Sequence, residues 1–364
     1  MAAGIPLCVA IRTTFCSDCK RLWGDERSPL RNPVAIFSSS SLGQTFRFLL
    51  GGLVLLASTG CGGGTTRKIT LAGGSLAGGW SAITEGVANA LRREMPGAAI
   101  THEVGMDGAN AALVGSGRVQ LGMLHSAMGQ LALAGEYPYP NKLNIRAISR
   151  VYADSALHFL VNEGTGLTSI DDIKQKRYPL RLSVMYRGSL METSSKAMLE
   201  AYGISYADIE SWGGRVYFRA LAPSLELMQD GGLDGISLAV QFPETQINEA
   251  SVLHQFRLLP ISEQAIAAVN QKLGTYRSTI PAGTYRFATH DIPTFSDVCV
   301  LIAYGGLEEQ EAYDITRALF RNLDYLHGVH RALAKLNPAD MPGVNGLPLH
   351  PGAERFYREA GVLP

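Results

Sequence analysis

Three glycine-bearing segments place hydroxyl, amide or charged side chains where a predicted strand ends or a predicted helix begins. They are the run from Gly73 to Gly79 with Gly74, Ser75 and Gly79, the run from Asp107 to Asn110, and Arg187-Gly188-Ser189. The first turn of a helix carries unpaired N–H groups and about half a positive charge, so it can bind a carboxylate. Glycine also lets the backbone approach a ligand closely. A single loop of this kind is more typical of a tight turn, but three together favour an anion-binding site.

Four further side chains are candidates for the same site. Arg187 is the candidate cation, because a guanidinium can bind a carboxylate through two hydrogen bonds. The alternative for Arg187 is a solvated loop arginine. Trp80 follows the first glycine loop and can line a pocket, with core packing as the alternative. His125 and Gln241 end predicted strands, and His125 could make a pH-dependent contact or be a structural histidine.

An enzyme is the main alternative in a different class. The run from Gly73 to Ala77 is close to the Gly-x-Ser-x-Gly pattern of serine hydrolases, with Ala77 in place of the last glycine. His290 or His350 would have to act as the base, but nothing in the sequence places either residue near Ser75. The first loop also lacks the dinucleotide-binding glycine pattern, so no NAD-type cofactor is expected.

The five cysteines do not predict a metal site. Cys16 and Cys19 have zinc-like spacing, but no second Cys pair or His pair follows at the spacing that a zinc site requires. Cys299 stands in an apolar run and is expected to be a buried small hydrophobe. Neither a metal nor a cofactor is therefore expected.

The elements that must position these residues alternate between strand and helix. The first series is a strand over 68–72, a helix over 80–95, a strand over 99–104, a helix over 109–114 and a strand over 119–124. This βαβαβ order predicts a mainly parallel sheet covered by helices. The pattern restarts with strands over 157–161, 180–185, 236–240, 256–260 and 298–303 and helices over 190–202 and 308–326. Two α/β units are expected, with the runs 157–161 and 298–303 crossing between them.

Length and composition agree with two domains. The chain has 364 residues, of which 46% are hydrophobic, so it can bury a core in each unit. It has 32 Lys and Arg residues against 32 Asp and Glu residues, which gives a formal net charge of zero. That balance provides no electrostatic footprint for a nucleic acid or an anionic membrane surface.

An apolar segment near the N-terminus predicts export. Residues 48–58 follow Arg47 and are too few to span a bilayer, which takes about 20 residues, but they fit the apolar region of a secretory signal. The small residues ending at Cys61 are similar to a bacterial lipobox, which makes Cys61 a candidate lipidation site. Ordinary cleavage nearby and a buried core helix are the alternatives. Residues 46–61 are predicted as this signal or lipoprotein segment, and residues 1–45 as an extension that the mature protein lacks.

Several motifs occur together in the remaining chain. They are the C-terminal run 349–361, the run 280–285 followed by Asp291-Ile-Pro-Thr294, the glycine loop 71–79, Asp107-Gly-Ala-Asn110, and Gly188-Ser189 with Glu192. On these motifs the chain from Ile69 to Leu363 resembles the TAXI family of substrate-binding proteins for TRAP transporters. The family often has Gln-Ser-Asp at the end of the third strand, where this chain has His125-Ser126-Ala127, so only Ser126 matches there.

The resemblance implies an α/β, type II periplasmic-binding-protein fold, with two α/β lobes and a ligand cleft at the hinge. We expect lobe one over residues 69–163 plus 295–364 and lobe two over 164–294. The implied protein is a monomeric periplasmic or extracytoplasmic receptor, not an enzyme. It would capture a small carboxylate, such as glutamate or a dicarboxylic or oxo acid, for TRAP membrane subunits, small and large or fused. A sensory binding protein of the same fold is the alternative. The resemblance adds these ligand-binding candidates: Asp107, Asn110, Ser126, Gly188, Ser189 and Glu192.

Overall fold

The structure is a computed structural model that describes residues 67–74 and 79–364. Within this part of the chain, ten strands form one sheet. The strands are β1 Arg67–Ala72, β2 Ala98–Glu103, β3 Leu121–His125, β4 Ile145–Asn162, β5 Arg181–Ser183, β6 Arg215–Tyr217, β7 Gly235–Val240, β8 Phe256–Leu258, β9 Tyr276–Ile280 and β10 Ile292–Tyr304. The α-helices are α1 Gly79–Glu94, α2 Asp107–Gly115, α3 Ser126–Ala134, α4 Asp171–Gln175, α5 Leu190–Ala201, α6 Tyr206–Ser211, α7 Leu221–Gln229, α8 Thr245–Ala250, α9 Glu263–Leu273, α10 Glu309–Arg321, α11 Leu323–His327 and α12 Pro351–Glu359.

The sheet is mixed, with strand order β2-β1-β3-β10-β4-β7-β5-β6, and with β8 beside β4 and β9 beside β10. β1 pairs in parallel with β2 and β3, as the βαβαβ pattern predicted. β5 pairs in parallel with β6 and β7. β4 and β10 run antiparallel to their neighbours, so the sheet as a whole is not mainly parallel.

Two long strands join the two parallel groups. Residues 145–156 of β4 pair with β10, whereas residues 156–161 pair with β7. In β10, residues 299–303 pair with β3 and residues 292–296 pair with β9. Each long strand therefore belongs to both halves of the sheet. We call the half built on β1, β2 and β3 the first lobe and the half built on β5, β6 and β7 the second lobe.

Helix α1 illustrates how the sequence pattern fixes an element of the first lobe. Ile83, Val87 and Leu91 recur every four residues and are all buried on one face of α1. Arg92 and Arg93 lie in its last turn, where positive charge stabilises the helix dipole. The predicted helix over 80–95 is confirmed. Because α1 begins at Gly79, this packing sets the position of Gly79.

Two predicted elements differ from the structure. The helix predicted over 308–326 is two helices, α10 and α11, which meet at Asn322. The Asn322 side chain donates to the Ala318 carbonyl at 2.9 Å, and an asparagine that competes for backbone groups disfavours a continuous helix. The strand predicted over 157–161 is much longer and begins at Ile145. Its first part contains buried polar residues such as Ser149 and Ser155, which hide the apolar pattern of an interior strand.

Candidate ligand-binding site

A cleft of about 480 Å³ lies between the lobes. From the first lobe it is lined by Gly74 just after β1, the start of α1, the β2–α2 loop and the end of β3. From the second lobe it is lined by the β5–α5 loop and by the segment that joins β7 to α8. These segments follow the carboxyl ends of strands, which is where α/β sheets bind ligands.

Several helices begin at this cleft, so their positive ends face it. The residues at these helix starts that line the cleft are Gly79 and Trp80 for α1, Met106 and Asp107 for α2, Ser189 for α5, and Glu244 and Thr245 for α8. The N-cap of α2 makes no side-chain hydrogen bond to the first turn. At α5, by contrast, the Ser189 hydroxyl accepts from the Glu192 N–H at 3.3 Å. The first-turn N–H groups of α2 are therefore open to a ligand anion.

The base of the cleft holds a hydrogen-bonded chain of three buried side chains. Nδ1 of His125 lies 3.1 Å from both carboxylate oxygens of Asp107. The backbone N–H of His125 donates to the same carboxylate at 3.0 Å. Nε2 of His125 lies 3.0 Å from the Ser155 hydroxyl. This chain fixes the imidazole plane at the base of the cleft.

Trp80 covers one face of that imidazole. The rings of Trp80 and His125 are stacked with centroids 5.0 Å apart. The indole N–H of Trp80 donates to the Tyr152 hydroxyl at 2.5 Å, which locks the orientation of the indole. Trp80 thus lines the cleft and also packs against its base.

The charge of His125 follows from its neighbours. Burial of the imidazole lowers its pKa, but the charge of Asp107, the hydrogen bond to that carboxylate and the charge of Asp297 together outweigh burial. The pKa of His125 is therefore raised above its ordinary value of 6.5. The Asp107 carboxylate beside the imidazole thus favours the charged form of His125.

Asp297 fills the N-terminus of α3, where Ser126 was predicted to meet the ligand. The Ser126 hydroxyl and, at 2.9 Å, the Ala127 N–H both donate to the Asp297 carboxylate. Burial raises the pKa of Asp297, although these donors and His125 act against burial. Ser126 is fully buried and is not among the residues lining the cleft, because an internal carboxylate already occupies the positive end of its helix.

The structure brings seven of the predicted residues to the cleft: Gly74, Gly79, Trp80, Asp107, His125, Ser189 and Gln241. Asn110 lies behind it and donates to the carbonyls of Gly73 and Met123, both at 2.8 Å. Asn110 therefore holds Gly73 beside β3. The Glu192 carboxylate accepts from the Gly188 N–H at 3.2 Å and from the Tyr137 hydroxyl at 3.1 Å. Gly188 and Glu192 thus shape the β5–α5 loop without lining the cleft.

The position of Arg187 corrects the prediction of the candidate cation. Its guanidinium carbon lies 3.5 Å above the centre of the Phe218 ring, and Arg187 is not among the residues lining the cleft. A guanidinium stacked on an aromatic face gains a cation–π interaction there. Among the described lining residues, Arg331 is the cation. Its guanidinium donates across the cleft to the Pro243 carbonyl at 2.9 Å.

Sequence reasoning missed Arg331, His330, Tyr152 and Ser155, which all line the cleft. Tyr152 and Ser155 lie in the part of β4 that was not predicted as strand. His330 and Arg331 begin a short 3-10 turn in the C-terminal region. The Nδ1 atom of His330 accepts from the Ala332 N–H at 3.1 Å, so a neutral His330 carries its proton on Nε2, beside Gly79. A His-Arg pair opening a turn after an apolar helix was the available signal.

Some predictions fall outside residues 67–74 and 79–364. They concern Ser75, the signal segment 46–61 with Cys61, and the Cys16 and Cys19 pair. Cys299 lies within the described part and is a buried free thiol, as predicted. In the same part of the chain, no group of three His, Cys, Asp or Glu side chains could hold a metal ion. No helix there is long and apolar enough to cross a membrane.

The chain is similar to several proteins of solved structure. PhnD1 from Prochlorococcus marinus, in complex with methylphosphonate, is 13% identical with a TM-score of 0.50, covering 82% of this chain and 100% of its own. MatC from Rhodopseudomonas palustris, with bound malate, is 12% identical with a TM-score of 0.49, covering 82% and 100%. The alkanesulfonate-binding protein SsuA from Xanthomonas axonopodis pv. citri, bound to MOPS, is 14% identical with a TM-score of 0.42, covering 82% and 84%. At 13% identity the likeness to PhnD1 concerns the fold alone, and it confirms the predicted α/β class.

A family model gives a more specific assignment. The model of the NMT1-like family matches residues 71–361, which is more than half of the chain. The match begins in β1 and ends just after α12, so it includes both lobes and every described residue that lines the cleft. The chain therefore belongs to the NMT1-like family.

Proposed function

We propose that this protein is an extracytoplasmic solute-binding protein that captures a small carboxylate between its lobes. The observation that carries the proposal is the cleft of about 480 Å³, which residues of both lobes line together. A volume of this size suits a small organic molecule. A solute that contacts both lobes stabilises their closed arrangement, which is how a hinged receptor reports occupancy to a partner.

Three groups favour an anionic ligand. Arg331 presents the one guanidinium among the described lining residues. The first turn of α2 presents N–H groups that no N-cap side chain satisfies. His330 adds an imidazole N–H beside Gly79 when neutral, and burial followed by the charge of Arg331 lowers the pKa of His330. Guanidinium, amide and imidazole N–H donors together suit a carboxylate.

The division into lobes belongs to the same proposal. We assign residues 69–163 plus 295–364 to the first lobe and 164–294 to the second. The exchange of partners by β4 at Ala156 supports a hinge near this residue. Gly74, Gly79, Trp80, Asp107 and His125 then belong to the first lobe, and Ser189 and Gln241 to the second. Ser75 directly follows Gly74 in the sequence.

The partner is proposed from the sequence motifs. The resemblance to the TAXI family supports delivery of the solute to TRAP membrane subunits, and the apolar segment before Cys61 supports export with lipid anchoring. A sensory receptor of the same fold would leave the cleft unchanged. Genes for TRAP membrane subunits beside this gene would support transport, whereas a neighbouring histidine-kinase gene would support sensing.

Calorimetry with two matched arginine variants tests the proposal. A thermal-shift screen of organic and amino acids on the full chain supplies the ligand, and titration calorimetry measures its affinity. We expect Arg331→Gln to weaken binding about ten-fold or more, equivalent to about 1.4 kcal/mol, because it removes the cation of the cleft. Arg187→Gln is the control and should bind like the wild type, since Arg187 lies over Phe218. A screen without any carboxylate ligand, or an Arg331→Gln variant with unchanged affinity, would refute the proposal.

A second candidate function is that of a hydrolase. Hydrogen bonds join Ser155 to His125 and His125 to Asp107, which is the order of a catalytic triad. Burial makes this candidate weaker, because Ser155 is only 2% exposed. An ester-hydrolysis assay of the wild type against Ser155→Ala distinguishes the two: equal background rates support binding, and a rate lost in the variant supports catalysis.

A further inference from the structure

Large apolar side chains from both lobes face the cleft. Met106 contributes from the first lobe, and Met185 and Met191 from the second. Met106 is 47% exposed, and Tyr186, which also lines the second-lobe side, is 45% exposed. Apolar groups left open on two facing surfaces are stabilised when an apolar ligand covers them. Methionine adapts its shape to varied ligands, so this lining suits an aliphatic chain or an aromatic ring.

The charges of the cleft allow one carboxylate more readily than two. Among the described lining residues Arg331 is the only Lys or Arg, and Ser75-Leu-Ala-Gly78 contains no ionisable side chain. The lining contains two carboxylates, Asp107 and Glu244. Asp107 pairs with His125, whereas Glu244 has no ion-pair partner within the described residues. A second carboxylate on the ligand would therefore meet a like charge without a cation of its own.

The charged and the apolar groups come from different segments of the lining. Arg331 bonds to Pro243, the residue before Glu244. Gly108 of α2 approaches Gly188 so closely that a Cβ on Gly108 would lie 2.7 Å from the Gly188 carbonyl oxygen. Met106 precedes Gly108 by two residues, and Tyr186 precedes Gly188 by two residues. A ligand with its charge at Arg331 therefore leaves Met106 and Tyr186 to contact its body.

We infer that the ligand of this cleft is a monocarboxylate with an apolar aliphatic or aromatic body, and that dicarboxylates are bound poorly. The inference rests on the proposed function and narrows it, since glutamate and dicarboxylic acids were among the ligands expected from the sequence. Arg331 binds the single carboxylate, Met106, Met185, Met191 and Tyr186 contact the body, and Glu244 rejects a second negative charge.

Matched acids test the inference by calorimetry on the full chain. The probes are hexanoate, adipate and hexanamide, together with phenylacetate, 4-carboxyphenylacetate and phenylacetamide. At least one monocarboxylate is expected to bind about ten-fold or more tightly than its dicarboxylate and amide counterparts. If the protein binds hexanoate, each methylene added to the ligand from butanoate to hexanoate should tighten binding about four-fold. This is the effect expected from burying one CH₂ group. Glu244→Gln should reduce the preference for hexanoate over adipate, with melting temperature as the check on folding.

The outcomes separate this inference from the function on which it rests. A dicarboxylate that binds as tightly as its monocarboxylate counterpart overturns the inference but leaves carboxylate capture intact. The same conclusion follows if neither hexanoate nor phenylacetate binds while another acid from the thermal-shift screen does. An amide that binds as tightly as its acid overturns carboxylate capture itself.

Discussion

His125 connects the chemistry of the cleft to the stability of the fold at the scale of single residues. Its imidazole stacks on Trp80, contacts the Asp107 carboxylate through Nδ1 and reaches Ser155 through Nε2. The residue is only 5% exposed, so its polar atoms depend on protein partners in place of water. Any change at Asp107 should therefore alter both stability and its dependence on pH.

Asp107→Asn tests the charge of this pair. The folded-state pKa of His125 is raised above 6.5. The protonated imidazole therefore contributes its full stabilisation of the folded state below about pH 6.5. This stabilisation is lost as the pH rises through the folded-state pKa. We expect the variant to lose about 1–3 kcal/mol of unfolding free energy near pH ~6 and less near pH ~9. Urea denaturation at both pH values measures this, with exposed Asp171→Asn as the control. An equal loss at both values would show that His125 is not charged in the folded protein.

The site could be predicted only in part from single residues. Trp80, Asp107 and His125 follow glycine loops or end strands, and those signals are local in sequence. Arg331 was missed because it reaches the cleft from the C-terminal region, and its contact with Pro243 spans 88 positions. Ser126 was misplaced because its partner Asp297 lies 171 positions away. Local sequence patterns give no information on contacts between residues so far apart in the sequence.

At the scale of elements, the order of strands and helices was largely predictable, but the pairing of β4 and β10 was not. Periodic apolar residues identified β1 and α1 because each has one clear buried face. The first half of β4 contains Ser149, Tyr152 and Ser155, whose polar atoms bond within the interior. Strands of this kind can be recognised only from the three-dimensional pairing that buries them.

Gly352 marks the closest packing between two helices, α12 and α10. A Cβ at this position would overlap the backbone carbonyl oxygen of Glu309. We expect Gly352→Ala to lower the unfolding free energy by about 1–3 kcal/mol, because backbone atoms cannot move aside without shifting a helix. Gly97→Ala is the matched control, since nothing lies within 4 Å of its Cβ position. Chemical denaturation compares the two, and equal stabilities would contradict the packing described.

At the scale of the whole molecule, the two lobes meet at two contacts between residues of the first and second lobes. Arg331 bonds to Pro243, and Gly108 contacts Gly188. Near the second contact, the Tyr137 hydroxyl donates to Glu192 of the second lobe at 3.1 Å. Contacts of this kind define a closed arrangement, and β4 and β10 supply the connection about which the lobes can open.

Gly108→Ala should act on closure without touching the base of the cleft. The added methyl group would meet the Gly188 carbonyl, so the closed state becomes less populated and the apparent affinity for the ligand falls. If the population of the closed state falls to a tenth, the apparent affinity falls about ten-fold. Gly164→Ala is the control, because its Cβ position is open. Calorimetry gives the affinity, and small-angle X-ray scattering should show a larger radius of gyration for ligand-saturated Gly108→Ala. Wild-type values in both measurements would mean that this contact does not limit closure.

A crystal structure of the full chain with the tightest-binding acid from the screen tests the central claim most directly. We expect electron density for the acid between the lobes, with its carboxylate at Arg331 and its body against side chains of both lobes. Density for the acid outside the cleft, or contacts with one lobe alone, would contradict the assignment of this protein as a two-lobed carboxylate receptor.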